Sequence, residues 1–197
     1  MHMNQELIKR CQSGDSAGVE ELIRFLTPTI YKVAFSMLGN EHDASDAVQE
    51  TFIKILKALP GFRGDASLTT WVYRITSNTC LDMLRSMGRY QTVSPDDEDV
   101  FLQLPDTAPT PEDALVTSER KAAVRNAVNA LPDAYRLVVT LCDLNGLPYD
   151  EVATILDCPL GTVKSRLNRA RALLLKKLME NRELFDRSNR PKGNKEA

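Results

Sequence analysis

The chain has 197 residues, of which 43% are apolar, and its 25 Lys and Arg against 27 Asp and Glu leave a net charge of −2. That length holds one large domain or two small ones, and no apolar run approaches the roughly 18 residues of a membrane span. Cys11, Cys80, Cys142 and Cys158 form no CxxC pair, and with only His2 and His42 beside them a zinc site by spacing is not expected. The N-terminus lacks the basic-then-apolar layout of a signal peptide, so a cytoplasmic chain with reduced thiols is expected. Charge is distributed unevenly: residues 1–90 are balanced, residues 91–118 carry seven acids and no cation, and residues 119–197 carry fifteen cations and ten acids. These stretches are expected to do different work.

The predicted elements begin with a polar helix from Gln5, interrupted at Ser13-Gly14-Asp15. A more apolar helix follows over about Ala17 to Leu38, with Pro28 either bending or dividing it and Gly39-Asn40 ending it. Asp43 is expected to cap a third helix with Ala47, Val48, Phe52, Ile55, Leu56 and Leu59 turned inward and Asp46, Gln49, Glu50, Lys54 and Lys57 on a polar outer face. By composition that face serves solubility. Phe62 to Ser67 reads as a polar loop, and Leu68 to Arg85 as a fourth helix. Arg74, Asn78, Asp82 and Arg85 share one helical face, near Trp71, Tyr73, Thr69 and Thr70. Aromatics beside cations and hydroxyls suit single-stranded nucleic acid, in which a stacked base gains about 1–3 kcal/mol. Core packing of Trp71 and Tyr73 explains the same residues equally well.

Residues 91–118 carry four prolines and the acidic run Asp96 to Asp99, the composition of an extended, self-repelling linker. A long helix is expected over Glu112 to Ala130 and a shorter apolar one over Ala134 to Asp143, before Asn145-Gly146. Tyr149 to Lys177 then reads as two helices around a tight turn. Val152, Ala153, Ile155 and Leu156 line the first, Asp157-Cys158-Pro159 breaks it, and the second starts near Leu160 with Val163, Leu167 and Leu174 inward. Between Asp157 and Glu180 there is no acid, while Lys164, Arg166, Arg169, Arg171, Lys176 and Lys177 all occur, flanked by Thr162, Ser165 and Asn168. A helix of this kind suits the DNA major groove, its early side chains reaching base edges and its later cations holding phosphates. A basic helix end complementing its own dipole is the plainer reading. The chain reads as all-α, with no strand-like alternation and no internal repeat.

Three motifs carry a family resemblance: DASDAVQETFIKILKAL at Asp43 to Leu59, FRGDASLTTWVYRITSNTCLDMLR at Phe62 to Arg85, and CPLGTVKSRLNRARALL at Cys158 to Leu174. In order and spacing they resemble bacterial RNA polymerase sigma factors of the extracytoplasmic-function group, which keep only the second and fourth sigma domains. The resemblance implies two small helical domains: residues 1–90 for core polymerase and the minus-10 element, and residues 112–180 for the minus-35 element, with an acidic linker at 91–111 and a polar tail at 181–197. Asp46, Gln49, Glu50 and Lys54 would then dock on the clamp helices of the polymerase β′ subunit, and the second domain would meet the β flap. Phe62, Arg63, Gly64, Asp65, Ser67, Thr70, Trp71, Arg74, Asn78 and Arg85 would hold the melted minus-10 strand and adjoining duplex, with one base extruded into the loop. Thr162, Lys164, Ser165, Arg166, Arg169 and Arg171 would read minus-35 DNA. The linker would run near the polymerase active-site channel and RNA exit path. The sequence departs from the pattern at Thr69, where relatives place a basic residue, and at Asp157, where a turn glycine is common; Asp enters the left-handed region more readily than most residues.

The resemblance further implies an anti-sigma protein as a partner. No cofactor, catalytic residue or metal ligand is expected, because the chain has no Gly-rich phosphate loop, no nucleophile–base pair in its motifs and no metal constellation. The alternative is a helix-turn-helix regulator that binds DNA independently of polymerase, since that motif alone serves both.

Overall fold

The computed structural model describes residues 5–92 and 118–180, and among these every regular element is helical. Helix α1 (Gln5–Gln12) ends at a turn whose Asp15 caps α2 (Ser16–Leu38) by accepting from the Ala17 N–H at 3.0 Å. Pro28 does not divide α2. The cost of a mid-helix proline, about 3 kcal/mol, is offset by continuous burial of Leu22, Leu26, Ile30 and Val33 along one face. Gly39 ends the helix in the left-handed region (φ 81°), donating to the Phe35 carbonyl.

Helix α3 (Glu41–Ala58) is capped by Asn40, which corrects the expectation for Asp43. Asn40 accepts from the Asp43 N–H at 2.9 Å and its side-chain amide donates to the Asp43 carboxylate at 2.6 Å, so Asp43 is the third helical residue, clasped by the cap. A 3₁₀ turn (Leu59–Gly61) closes α3, and α4 (Leu68–Ser86) follows a short loop. Gln12 ties α1 to this region by donating to the Leu59 and Phe62 carbonyls at 3.1 and 3.0 Å.

In the second half, α5 (Ser118–Asn129) and α6 (Asp133–Val139) lead into a π-helical segment (Thr140–Leu144). The expected helix to Asp143 is thus interrupted in its winding, while residues 112–117 of the expected long helix and most of the acidic linker lie outside the described residues. Helices α7 (Tyr149–Leu156) and α8 (Leu160–Met179) form the helix-turn-helix, with Asp157 at φ 50°, ψ 51° in the turn. The tolerance expected of Asp there is what the backbone uses.

The apolar cores do not follow the two domains. One cluster, with Leu7, Leu22, Ile30, Phe52, Ile55 and Val72, fills the far end of the first domain. The other joins Val33, Met37, Tyr73 and Leu84 of the first domain to Leu131, Tyr135, Val138, Val152 and Leu167 of the second in one contiguous mass.

Candidate nucleic-acid interface

The loop after the 3₁₀ turn and the first turn of α4 form one surface. Ser67 caps α4, accepting from the Thr70 N–H at 3.0 Å, and its hydroxyl lies 2.7 Å from that of Thr70. Thr70 is buried, so the two hydroxyls expected at nucleic acid are engaged in holding the helix start. Phe62 and Trp71 are half-buried with ring centroids 5.0 Å apart, forming a wall over the first-domain core. Between them Arg63, Gly64 and Asp65 are exposed, with Gly64 at φ 83°. Tyr73, by contrast, is buried. The core alternative therefore holds for Tyr73, whereas Trp71 keeps part of its ring at the surface.

Arg74, Asn78 and Arg85 are all exposed on the same side of α4. Arg85 pairs with Asp82 at 3.1 Å and lies 4.9 Å from the Tyr90 ring centroid, so its planar cation is held flat rather than waving free. Arg74 reaches across to Asp157 in the helix-turn-helix turn at 3.5 Å.

On α3, Asp46, Gln49 and Glu50 are exposed and Lys54 is half-exposed, paired with Glu50 and with Asp82 of α4, each at 3.8 Å. Ile53 stands among them, 47% exposed. It is not among the residues expected from the sequence, although an apolar residue off the inward stripe is the signal that could have marked it. It gives the otherwise polar face of α3 one apolar contact point.

In α8, Val163, Leu167 and Ala170 are buried, which turns Lys164 and Asn168 outward, with Thr162, Ser165, Arg166 and Arg169 half-exposed beside them. Arg171 stands apart. Its Nε and Nη2 donate to Asp143 at 3.2 and 2.7 Å, and Nη2 lies 3.4 Å from the Tyr149 hydroxyl. This hydrogen bonding to Asp143 holds the Arg171 guanidinium well above its ordinary value. Burial pushes the Cys80 and Cys142 thiols up to about 12 and about 11, so neither is a nucleophile near neutral pH. Among the described residues no cluster of His, Cys, Asp or Glu could hold a metal, and no helix is long and apolar enough to cross a membrane.

Residues 22–90 match the family model for sigma-70 region 2, and residues 121–174 match that for sigma-70 region 4. The RNA polymerase sigma-H factor of Pseudomonas aeruginosa is 35% identical over 185 residues, covering 89% of this chain and 93% of its own. The ECF RNA polymerase sigma factor SigE of Mycolicibacterium smegmatis is 37% identical over 166 residues, covering 82% of this chain; the match spans 63% of that relative's length. The chain belongs to the extracytoplasmic-function sigma factors. Among solved structures, this sigma factor is similar to RpoE of Bartonella quintana, crystallised in complex with the anti-sigma factor NepR, at 26% identity and a TM-score of 0.60 over 81% of this chain and 96% of that one. The resemblance read from its three motifs and the all-α, two-domain fold are both borne out.

Proposed function

We propose that this sigma factor joins core RNA polymerase, sets its two domains on the minus-10 and minus-35 promoter elements, and helps to melt the duplex, while the polymerase supplies the catalysis in the cytoplasm. The observation that carries the reading is the joint presence of two unlike nucleic-acid surfaces: a half-buried aromatic wall beside the exposed row Arg74, Asn78 and Arg85, and a helix whose exposed face bears no acid. The first suits unstacked single strands and the second suits a duplex groove. A polymerase-independent regulator needs only the second.

On this reading the working division is residues 1–90, an acidic linker at 91–111, residues 112–180 and a tail at 181–197. Arg63, Gly64 and Asp65, backed by Phe62 and Trp71, receive an extruded base, and Arg74, Asn78 and Arg85 follow the strand. Ser67 and Thr70 act by holding the start of α4. Thr162, Lys164, Ser165, Arg166 and Arg169 read the minus-35 groove, and Arg171 is a positioning residue that fixes α8 through Asp143. Asp46, Gln49, Glu50 and Lys54 surround Ile53 as the patch for the β′ clamp helices, and the second domain meets the β flap. An anti-sigma partner covers these faces, as the Bartonella relative's complex suggests.

The test is transcription by core polymerase from a randomised promoter library, with and without the protein. A two-element motif that requires both components is expected. Trp71→Ala with Asn78→Ala should reduce promoter opening at least tenfold, and Ile53→Asp should instead weaken polymerase binding. Unchanged opening in the first variant, at unchanged polymerase binding, would remove α4 from the strand-binding role.

A further inference from the structure

Helix α4 ends in a turn that folds the chain back along its own last residues. Met87 caps the helix, and Gly88 stands at φ 65° in the left-handed region. The Gly88 N–H donates to the Arg85 carbonyl at 3.1 Å and the Arg89 N–H to the Leu84 carbonyl at 2.9 Å, the two bonds of a Schellman turn. The reversal sets Tyr90 against Arg85, whose guanidinium carbon lies over the ring, 4.9 Å from its centroid. Tyr90 is not among the residues expected at nucleic acid from the sequence, because only this turn carries its ring to that surface.

The Arg85 guanidinium is thus held from two directions. Asp82, one turn back on α4, accepts from Nη1 at 3.1 Å, and guanidinium N–H groups point along the plane of the cation. The Tyr90 ring covers one face of that plane. With 53% of the Arg85 side chain exposed, the face turned away from Tyr90 is open to solvent. A guanidinium face takes a stacked base much as an aromatic face does. A freely rotating arginine loses rotamer freedom on stacking, whereas one clamped by a carboxylate and a ring has little left to lose. Along α4, Arg74 and Arg85 are about 17 Å apart at 1.5 Å per residue, the length of about five stacked nucleotides at 3.4 Å each.

We propose that Tyr90 is a positioning residue for the minus-10 strand: it holds the Arg85 guanidinium flat so that one unstacked base lies against the open face, in the order base, guanidinium, phenol ring. The inference rests on the reading of α4 as the strand-binding helix. The ring acts through its face and not through its hydroxyl, so phenylalanine serves in its place and an aliphatic side chain does not.

The test uses preassembled holoenzyme containing the full chain, titrated with a single-stranded oligonucleotide that carries the minus-10 element found in the promoter library. Tyr90 lies at the surface, 36% exposed, so truncating it leaves the core of the domain intact. Tyr90→Ala should weaken strand binding about fivefold, Tyr90→Phe should bind as wild type does, and Tyr90→Leu should stay at the alanine level. Replacing each base in turn by an abasic site should locate the effect, because at one position Tyr90→Ala then costs nothing further. The salt dependence should not change, since no charge is removed. Wild-type binding by Tyr90→Leu would show that the ring only fills space, and would overturn the proposal. So would an alanine loss that persists equally at every abasic position, or no loss at all. If Trp71→Ala with Asn78→Ala also leaves strand binding unchanged, the strand-binding reading of α4 fails and the inference with it. If the Tyr90 variants alone are without effect, that reading stands and only the inference falls.

Discussion

Arg171 and Asp143 make a two-point ion pair, each side chain about 30% exposed, that joins α8 to the π-helical segment and touches Tyr149 of α7. Arg166 and Arg169 lie in the same acid-free helix, and in sequence nothing separates them from Arg171. Their chemistry is identical, and the separation arises only from which side chain faces an acid 28 residues upstream in the chain. If Arg171 positions the helix, Arg171→Ala and Asp143→Asn should each weaken minus-35 binding by about 1 kcal/mol without changing the salt dependence. If Arg171 instead held a phosphate, Arg171→Ala would lower the slope of log K against log salt by about 0.9, and Asp143→Asn would strengthen binding by releasing the cation. Titrations of holoenzyme with a minus-35 promoter fragment over a range of salt separate the two by sign. At the same scale Ser67 and Thr70 were legible as a cluster of hydroxyls near a loop, but that they face each other across a helix start depends on the backbone direction at Ser67.

Among the elements, α3 illustrates how a start signal is shared. Both Asn40 and Asp43 are capping residues by type, and the chain resolves the choice by making Asn40 the cap and hydrogen-bonding its amide to the Asp43 carboxylate. The Asn40 hydrogen bond, with a second from Arg89 at 2.5 Å, holds the Asp43 carboxyl below the usual carboxylate range. A carboxylate depressed in this way contributes stability that is fully present above its unfolded value, near pH 4, and is lost as pH falls through the lower folded value. Asp43→Asn should therefore cost about 1 kcal/mol in urea unfolding at pH 7, and that cost should shrink steadily below about pH 4. A cost independent of pH would mean that the carboxylate's charge adds nothing. The helix-turn-helix was the most legible element, because a short apolar stripe, a Pro-bearing turn and a second stripe leave few other arrangements. The π-helical winding after α6 was not legible: Thr140 to Leu144 has ordinary helical composition, whereas its packing partners, α2 and α7, are distant in sequence or follow it.

For the whole molecule, Arg136 has the widest reach. It bonds the Asn129 and Leu131 carbonyls within its own domain at 2.7 and 3.0 Å and the Met37 carbonyl in the other, and it forms an ion pair with the fully buried Asp133. Arg136→Met should lower stability by about 3–5 kcal/mol, because it leaves Asp133 as a buried charge without its cation, and adding Asp133→Asn should recover part of that loss. Urea unfolding of both variants checks this, and a loss below about 1 kcal/mol would mean that the pairing with Asp133 adds little. By itself the sequence determined the helical class, the division into two modules with an acidic stretch between them, the family, and the faces on which the residues proposed to read DNA lie, because periodicity, breakers and local charge are all encoded within a few residues of one another. Only the tertiary structure decided which arginines pair with an acid, that Ile53 stands exposed, and that the end of α2 finds its last hydrogen bond in a distant helix. Those outcomes depend on contacts between residues up to about a hundred positions apart, such as Met37 and Arg136, and such pairings leave no local periodic trace.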